Sequence, residues 1–236
     1  MNRFAWALTG FVLIHVGLSA TGLRTALVGR IGEGPYRAVF SLLSLALIVA
    51  LVSGFGAMRA DPFDPLNEVM WLPPTWLRGP AQLLAFVGIW LAITGVMTPG
   101  PTLAGYEKRA LAQAEPARGV LRITRHPFLW GLALWAAGHL LLNGERFAVM
   151  LFGALGLMVL FGARSIDRKG RARDAEAWDR FAAVTSNAPF AAIAQGRNKL
   201  KLSEIGWRGL VSLIITAVII LAHEAIIGVS ALSGPT

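Results

Sequence analysis

The sequence predicts an all-α fold: a polytopic membrane helix bundle of about six transmembrane helices plus one helix on the cytoplasmic interface. Three observations carry this expectation. Of 236 residues, 55% are hydrophobic and 15% charged, with a mean hydropathy of +0.59, whereas soluble domains carry about 25% charged residues. The apolar residues gather into runs long enough to cross ~30 Å of hydrocarbon, a distance that needs roughly 17–25 helical residues. The lysines and arginines that produce the net charge of +9 fall mostly between alternate runs. No repeat of fixed period and no low-complexity tract divides the chain, so residues 1–236 are read as a single domain.

The six runs are 4–23, 38–58, 80–98, 127–142, 147–163 and 209–230. The first is read as a span and not as a cleavable signal. It has only Arg3 ahead of it, holds a histidine and leads into further spans. The fourth and fifth are short and are joined by Asn143-Gly-Glu-Arg146, which predicts a tight helical hairpin. Pro127 opens the fourth, a position where a helix tolerates the missing N–H. Two long polar connections remain, 99–125 and 164–208. In the second, Ala175, Trp178, Phe181 and Ala182 fall at helical spacing among Asp174, Glu176, Asp179 and Arg180. That pattern predicts an amphipathic helix at the interface. The Pro- and Trp-rich stretch 61–76 reads as interfacial anchoring.

Six spans place the ends and the second and fourth loops on one side. That side holds Arg3, Arg59, Arg78 and Arg146. The other 18 of the 22 basic residues lie opposite, 3 in the first loop, 5 in the third and 10 in the fifth. By the positive-inside rule the basic side is cytoplasmic and both termini are periplasmic, which fits a bacterial inner membrane. The charge therefore signals topology and attraction to anionic lipid heads of the bilayer. It does not signal nucleic acid, because the basic loops lack interleaved aromatics and any reading module. With no cysteine, disulfides, thiolate ligands and iron–sulfur clusters are excluded.

All four histidines lie in or at the edge of apolar runs: His15, His126, His139 and His223. Ionisable groups within spans are costly and point to function, and imidazole is the commonest metal ligand. At ~1.5 Å per residue, His15 lies roughly 13 Å from the cytoplasmic end of its helix and His126 lies at that end of the fourth span. His139 is 13 residues further on, about 20 Å deeper, and His223 is 15 residues past Arg208, about 22 Å deep. They sort into a cytoplasmic-side pair, His15 with His126, and an outer pair, His139 with His223. His126 and His139 are poor partners, since 13 residues leave them about 140° apart around one helix.

A bis-histidine haem needs ligands on opposing helices, and His15 with His126 could supply them. Zinc fits less well without cysteines or a compact His/carboxylate cluster. Phe128, Trp130 and Trp135, with Gly131 near the ring edge, are candidate walls. Arg24, Arg122 and Arg125 are candidate partners for propionates. The outer pair is a second candidate metal site. For each histidine a plain interhelical hydrogen bond stays open as the alternative.

At these residues the sequence resembles the NnrU family of membrane proteins, which includes the 15-cis-ζ-carotene isomerases. The resemblance runs through His15-Val-Gly-Leu-Ser-Ala-Thr-Gly-Leu-Arg24, Gly32-Glu-Gly-Pro-Tyr-Arg37, Arg122-Ile-Thr-Arg-His-Pro127 and Ala137-Gly-His139. It continues with Thr185-Ser-Asn-Ala-Pro-Phe-Ala-Ala-Ile193, Gly196-Arg-Asn-Lys-Leu200 and Ala222-His223. It implies an integral membrane protein binding haem b, with His15 and His126 as axial ligands of the iron and as the catalytic residues. It further implies redox-gated cis–trans isomerisation of a hydrophobic polyene, as in carotenoid biosynthesis, with an electron donor for the iron. The cysteine proposed beside the Arg-His-Pro motif in the isomerases has Thr124 in its place here, so a thiolate switch is not expected.

Two other functions stay open at this point. One is a non-enzymatic haem sensor, electron carrier or accessory protein in the nitrite and nitric oxide metabolism (denitrification) for which the bacterial family members are named. The other is a membrane S-adenosylmethionine-dependent methyltransferase. Such enzymes share an Arg-His-Pro segment followed by an aromatic residue and a glycine, here Arg125-His-Pro-Phe-Leu-Trp-Gly131, but follow it with a paired-acidic motif, where this chain has Arg164-Ser-Ile-Asp-Arg-Lys169.

Overall fold

The computed structural model describes residues 2–18 and 22–232, which form helices and turns; among them no strand occurs, only an isolated bridge between Val69 and Glu145. Helix α1 (Arg3–Val12) opens at Asn2, whose side chain accepts the Ala5 N–H at 3.0 Å. The run expected as one span, 4–23, changes winding partway. Residues Leu13–Leu18 form a π-helix, and α2 (Gly22–Ile31) follows. Residues 19–21 of that expected span lie outside the described residues. A π-turn widens the helix by one residue, a distortion concentrated at functional sites, and His15 lies inside it.

Among the described residues, four helices are long and apolar enough to cross a membrane: α3 (Glu33–Ala60), α4 (Arg78–Met97, continuous with a turn from Thr75), α7 (Arg146–Arg173) and α10 (Leu202–Ile227). Helix α6 (Pro127–Leu142) is apolar but only 16 residues long, about 24 Å at helical rise. The six expected spans thus become four full-length helices, one short one and a broken first segment. The outer faces of α3 and α10 remain uncovered by protein, with Leu42 at 68% and Leu221 at 73% exposure. Apolar surface on that scale is what lipid covers.

Helices α4 and α6 form the tightest pair. A Cβ on Gly131 would stand 2.5 Å from the Ala92 nitrogen, and one on Gly88 would stand 2.5 Å from the Trp135 nitrogen. Small residues allow this backbone approach where lipid offers no hydrophobic drive to associate. Around α1, α3 and α7 an aromatic core forms, with Phe147 edge-on to Phe4 at 6.1 Å and to Phe55 at 4.7 Å.

One end of the bundle ties its loops and both ends of the chain together. Asn2 Nδ2 donates to Asp64, Met70 N–H donates to the Gly144 carbonyl, and Gln82 Nε2 donates to the Ala231 carbonyl at 2.6 Å. Arg146 pairs with Glu68 across this same end, and the 143–146 connection is the tight hairpin its sequence predicts. The opposite end carries the basic connections. There α7 runs ten residues past the expected stop at 163, α5 (Glu107–Leu111) and α8 (Ala175–Ala183) pack beside it, and a single turn, α9 (Ala191–Ala194), follows. Asp174 caps α8 by accepting the Ala177 N–H at 3.0 Å. The apolar face expected to meet lipid instead meets protein: Trp178 and Phe181 are buried with Leu111 and Ala117. The final long helix bends at Gly206, whose φ of +42° only glycine adopts readily, so the turn carrying Glu204 is set off from the apolar span.

Candidate functional site

The site grows from the start of α6. The peptide ahead of Pro127 is kept from helical geometry by the ring, and His126 takes φ −121°, ψ 57° there. Its side chain is buried. The imidazole Nε2 lies 2.7 Å from Asp167 Oδ1 on α7. A carboxylate only accepts, so Nε2 carries the proton, and in the neutral ring Nδ1 carries the lone pair. His126 Nδ1 is buried without a hydrogen-bond partner. Arg125 forms an ion pair with the other oxygen of Asp167 at 3.2 Å. Asp167 thus joins two successive residues of the Arg-His-Pro motif. It was missed in the sequence, although one signal was present: it is the sole carboxylate in the cationic run 164–173.

A second motif fixes this one. Residues 185–193 wrap around the 123–126 backbone. Arg125 N–H donates to the Ser186 carbonyl at 2.9 Å, Thr124 Oγ1 donates to the Asn187 carbonyl at 2.6 Å, and Phe190 N–H donates to the Ile123 carbonyl at 2.8 Å. Thr124 Oγ1 also accepts the His126 N–H at 3.2 Å. Trp130 Nε1 donates to Asn187 Oδ1 at 3.1 Å, which makes the indole a tether between α6 and this loop. Arg122 is likewise engaged within the protein. Its guanidinium donates to both Glu204 oxygens, at 2.7 and 2.8 Å, and to Asn198 at 2.8 Å. The Glu204 carboxylate holds the Arg122 pKa above its ordinary value.

Beside this knot lies a cavity of about 460 Å³ lined by Tyr36, Phe40, Thr102, Ile166 and the cations Arg24, Arg37, Lys169 and Arg173. Its size suits a cofactor or small ligand. His15 borders it through Phe40, with ring centroids 5.1 Å apart, and also stacks on Phe11 at 4.2 Å. His15 Nδ1 donates to the Phe11 carbonyl at 2.9 Å, which leaves the lone pair on Nε2. The cavity reaches the His126 side through Ile166, next to Asp167, and through Thr102, whose hydroxyl donates to the Arg125 carbonyl at 2.5 Å. Neither histidine lines it directly. Of the arginines singled out in the sequence, Arg24 lines the cavity and pairs with Glu33 at 3.1 Å, while Arg122 and Arg125 hold carboxylates elsewhere.

The outer histidines do meet: the His139 and His223 ring centroids are 6.4 Å apart. Of the other expected walls, Trp135 stacks on His139, Gly131 packs against α4, and Phe128 is exposed. Among the described residues no group of three or more His, Cys, Asp or Glu side chains is placed to hold a metal ion.

Two curated relatives are similar to this chain. The chain is 30% identical over 198 residues to the chloroplastic 15-cis-zeta-carotene isomerase of Zea mays, and 29% identical over 200 residues to that of Arabidopsis thaliana. Each match covers 80% of this chain and 50% of the relative, so the chain spans about half the length of the curated relatives it matches. No solved structure matches it. The NnrU protein family model matches residues 3–231, and with that span covered the chain belongs to the NnrU family.

Proposed function

We propose that this protein is a membrane-embedded haem b protein that isomerises a cis double bond of a hydrophobic polyene, with 15-cis-ζ-carotene as the model substrate. The relatives that act on that substrate support the reaction class. The observation that carries the reading is the buried His126–Asp167 pair with its orphaned Nδ1. Metal-bound histidines characteristically donate their second N–H to a carboxylate, which fixes the ring and raises its basicity. His15 has the complementary arrangement, with Nδ1–H on a backbone carbonyl and the lone pair on Nε2. The donor set therefore suits an iron tetrapyrrole. Tyr36 and Phe40 offer apolar contact, and Lys169 and Arg173 line the cavity as cations for its carboxylates, while Arg24 and Arg37 are paired with Glu33.

In this reading His15 and His126 hold the iron, and Asp167 keeps the His126 ring oriented. A haem held by these two residues would supply, once reduced and with one of the two imidazoles released, a Lewis-acidic centre able to lower the bond order of the polyene's double bond. The protein's own residues then exclude water and confine the polyene, while the uncovered apolar faces of α3 and α10 let substrate and product exchange with the bilayer. Isomerisation leaves no net redox change, so the donor that reduces the iron acts only as a gate. We further infer that the basic end faces the cytoplasm of a bacterial inner membrane.

The test is an absorption spectrum of the detergent-purified protein, oxidised and then reduced with dithionite, followed by incubation with 15-cis-ζ-carotene. A six-coordinate low-spin spectrum, lost in His15→Ala and His126→Ala, and isomer conversion only after reduction are expected. A protein that stays colourless after haemin reconstitution defeats the reading.

A further inference from the structure

The outer end of the bundle holds a second pair of imidazoles that the proposed reaction does not use. His139 lies near the C-terminal end of α6, and His223 near that of α10. Each uses its Nδ1–H in the same way. His139 donates to the Trp135 carbonyl at 2.9 Å, and His223 donates to the Val229 carbonyl at 2.7 Å, reaching over the helix end at Gly228. Carbonyls only accept, so both rings carry their lone pair on Nε2. Neither Nε2 makes a hydrogen bond among the described residues. A ring held through Nδ1–H by a backbone carbonyl is the usual posture of a metal-ligating histidine.

The spacing is informative. Two metal–nitrogen bonds of about 2.0 Å, added to the two distances from nitrogen to ring centre, place the centroids of imidazoles bound in trans to one metal roughly 6.3 Å apart. The centroids of His139 and His223 are 6.4 Å apart, with the rings inclined by 35°. Trp135 at 4.7 Å and Phe152 at 4.8 Å pack on His139 and give the pair an apolar wall. Among the described residues there is no third His, Cys, Asp or Glu to complete a tetrahedral site, which disfavours zinc. The candidates are metals for which two protein nitrogens suffice. Copper(I) accepts two donors in line, and haem iron takes its other four nitrogens from the macrocycle.

We propose that His139 and His223 form a second metal site, binding one copper(I) ion or one haem iron between the two Nε2 atoms. The site is separate from His15 and His126 and does not depend on their assignment.

The test uses the full chain in detergent. It is loaded in separate samples with copper(I), buffered by a competing chelator, and with haemin. Metal per chain and absorption spectra are compared for wild type, His139→Gln, His223→Gln and His223→Met. Helical circular dichroism establishes that each variant is folded. One of the two probes is expected to bind wild type with one equivalent that both glutamine variants lose and that His15→Ala and His126→Ala retain. Copper retention identifies the bare ion, and a low-spin haem spectrum identifies the macrocycle. His223→Met is expected to shift the spectrum or the affinity rather than abolish binding, because a thioether can replace an imidazole as ligand. A merely structural role would not produce that shift. Stoichiometry and spectra identical between wild type and both glutamine variants, with both probes, would overturn the proposal. If all haem is lost in the glutamine variants and none in the His15 and His126 variants, this site stands and the axial assignment made above falls.

Discussion

His126 and Asp167, 41 residues apart in sequence, are joined by a 2.7 Å hydrogen bond from the imidazole Nε2–H to the carboxylate, at the point where α6 begins and α7 passes beside it. The bond decides which ring nitrogen is protonated. It also restrains rotation of a side chain that has no solvent-exposed surface. Any ligand of His126 must therefore be met by Nδ1.

Asp167→Asn keeps the shape of the carboxylate but removes its charge and its certainty as an acceptor. Loss of such an outer-shell partner typically costs about 10- to 100-fold in metal affinity. Haemin titration of the variant is expected to show a loss in that range while helical circular dichroism stays unchanged. Affinity equal to wild type would mean that Asp167 serves Arg125 alone.

Thr124 works on the same histidine from the backbone side. Its hydroxyl donates to the Asn187 carbonyl and accepts the His126 N–H, and the side chain is fully buried. Thr124→Val preserves shape and removes both bonds, leaving the buried His126 N–H and the half-buried Asn187 carbonyl without this partner. A buried group so left costs about 1–3 kcal/mol. A lower midpoint in thermal unfolding in detergent is expected, and Thr124→Ser should restore most of it. Thr124→Val unfolding at the wild-type temperature would show that these bonds contribute nothing net.

How far the sequence revealed these features depends on what each residue needed to be seen. The all-α class was legible because apolar runs and flanking charges are local signals. The outer pair was legible because rise per residue alone places His139 and His223 at similar depth, and their rings do meet. Span continuity was less legible. Nothing local in 4–23 announces the π-turn at Leu13–Leu18, and the charged stretch 164–173 reads as a loop although it continues α7. Arg122 and Trp130 read locally as ligand contacts because their type suits one. Their actual partners, Glu204 and Asn187, lie 82 and 57 residues away and carry no signal in the local pattern. Asp167 escaped for the same reason, since its role exists only once α7 passes His126.

The α4–α6 contact has a sharper expected response than any polar contact. At Gly131 the atoms that a new Cβ would meet are backbone, the Ala92 nitrogen at 2.5 Å and the Gly88 carbonyl oxygen at 2.6 Å. No rotamer change relieves that, so Gly131→Ala must push the helices apart. Overpacking of this kind costs typically 1–3 kcal/mol. Gly153→Ala, where nothing lies within 4 Å, serves as the control and is expected to be neutral or slightly stabilising through helix propensity. Equal unfolding midpoints for the two variants would contradict the close approach.

The cations of the 460 Å³ cavity separate an anionic ligand from a neutral one. Lys169 and Arg173 line it from α7, and Arg173 lies 3.8 Å from Glu107, which is too long for a strong pair. If the ligand carries carboxylates, as haem does, Lys169→Gln and Arg173→Gln should each weaken binding about fivefold, the equivalent of about 1 kcal/mol for a part-exposed charge. Affinity should also fall with added salt in wild type, and less steeply in either variant. Arg171→Gln is the control, because its side chain is two-thirds exposed and faces Asp179 at 3.2 Å, outside the cavity. Haemin titrations at low and high ionic strength measure all of this. If Lys169→Gln and Arg173→Gln bind haemin as wild type does while Arg171→Gln weakens it, the basic ligand contacts lie on the α8 side of α7 and the cavity is not the haem pocket.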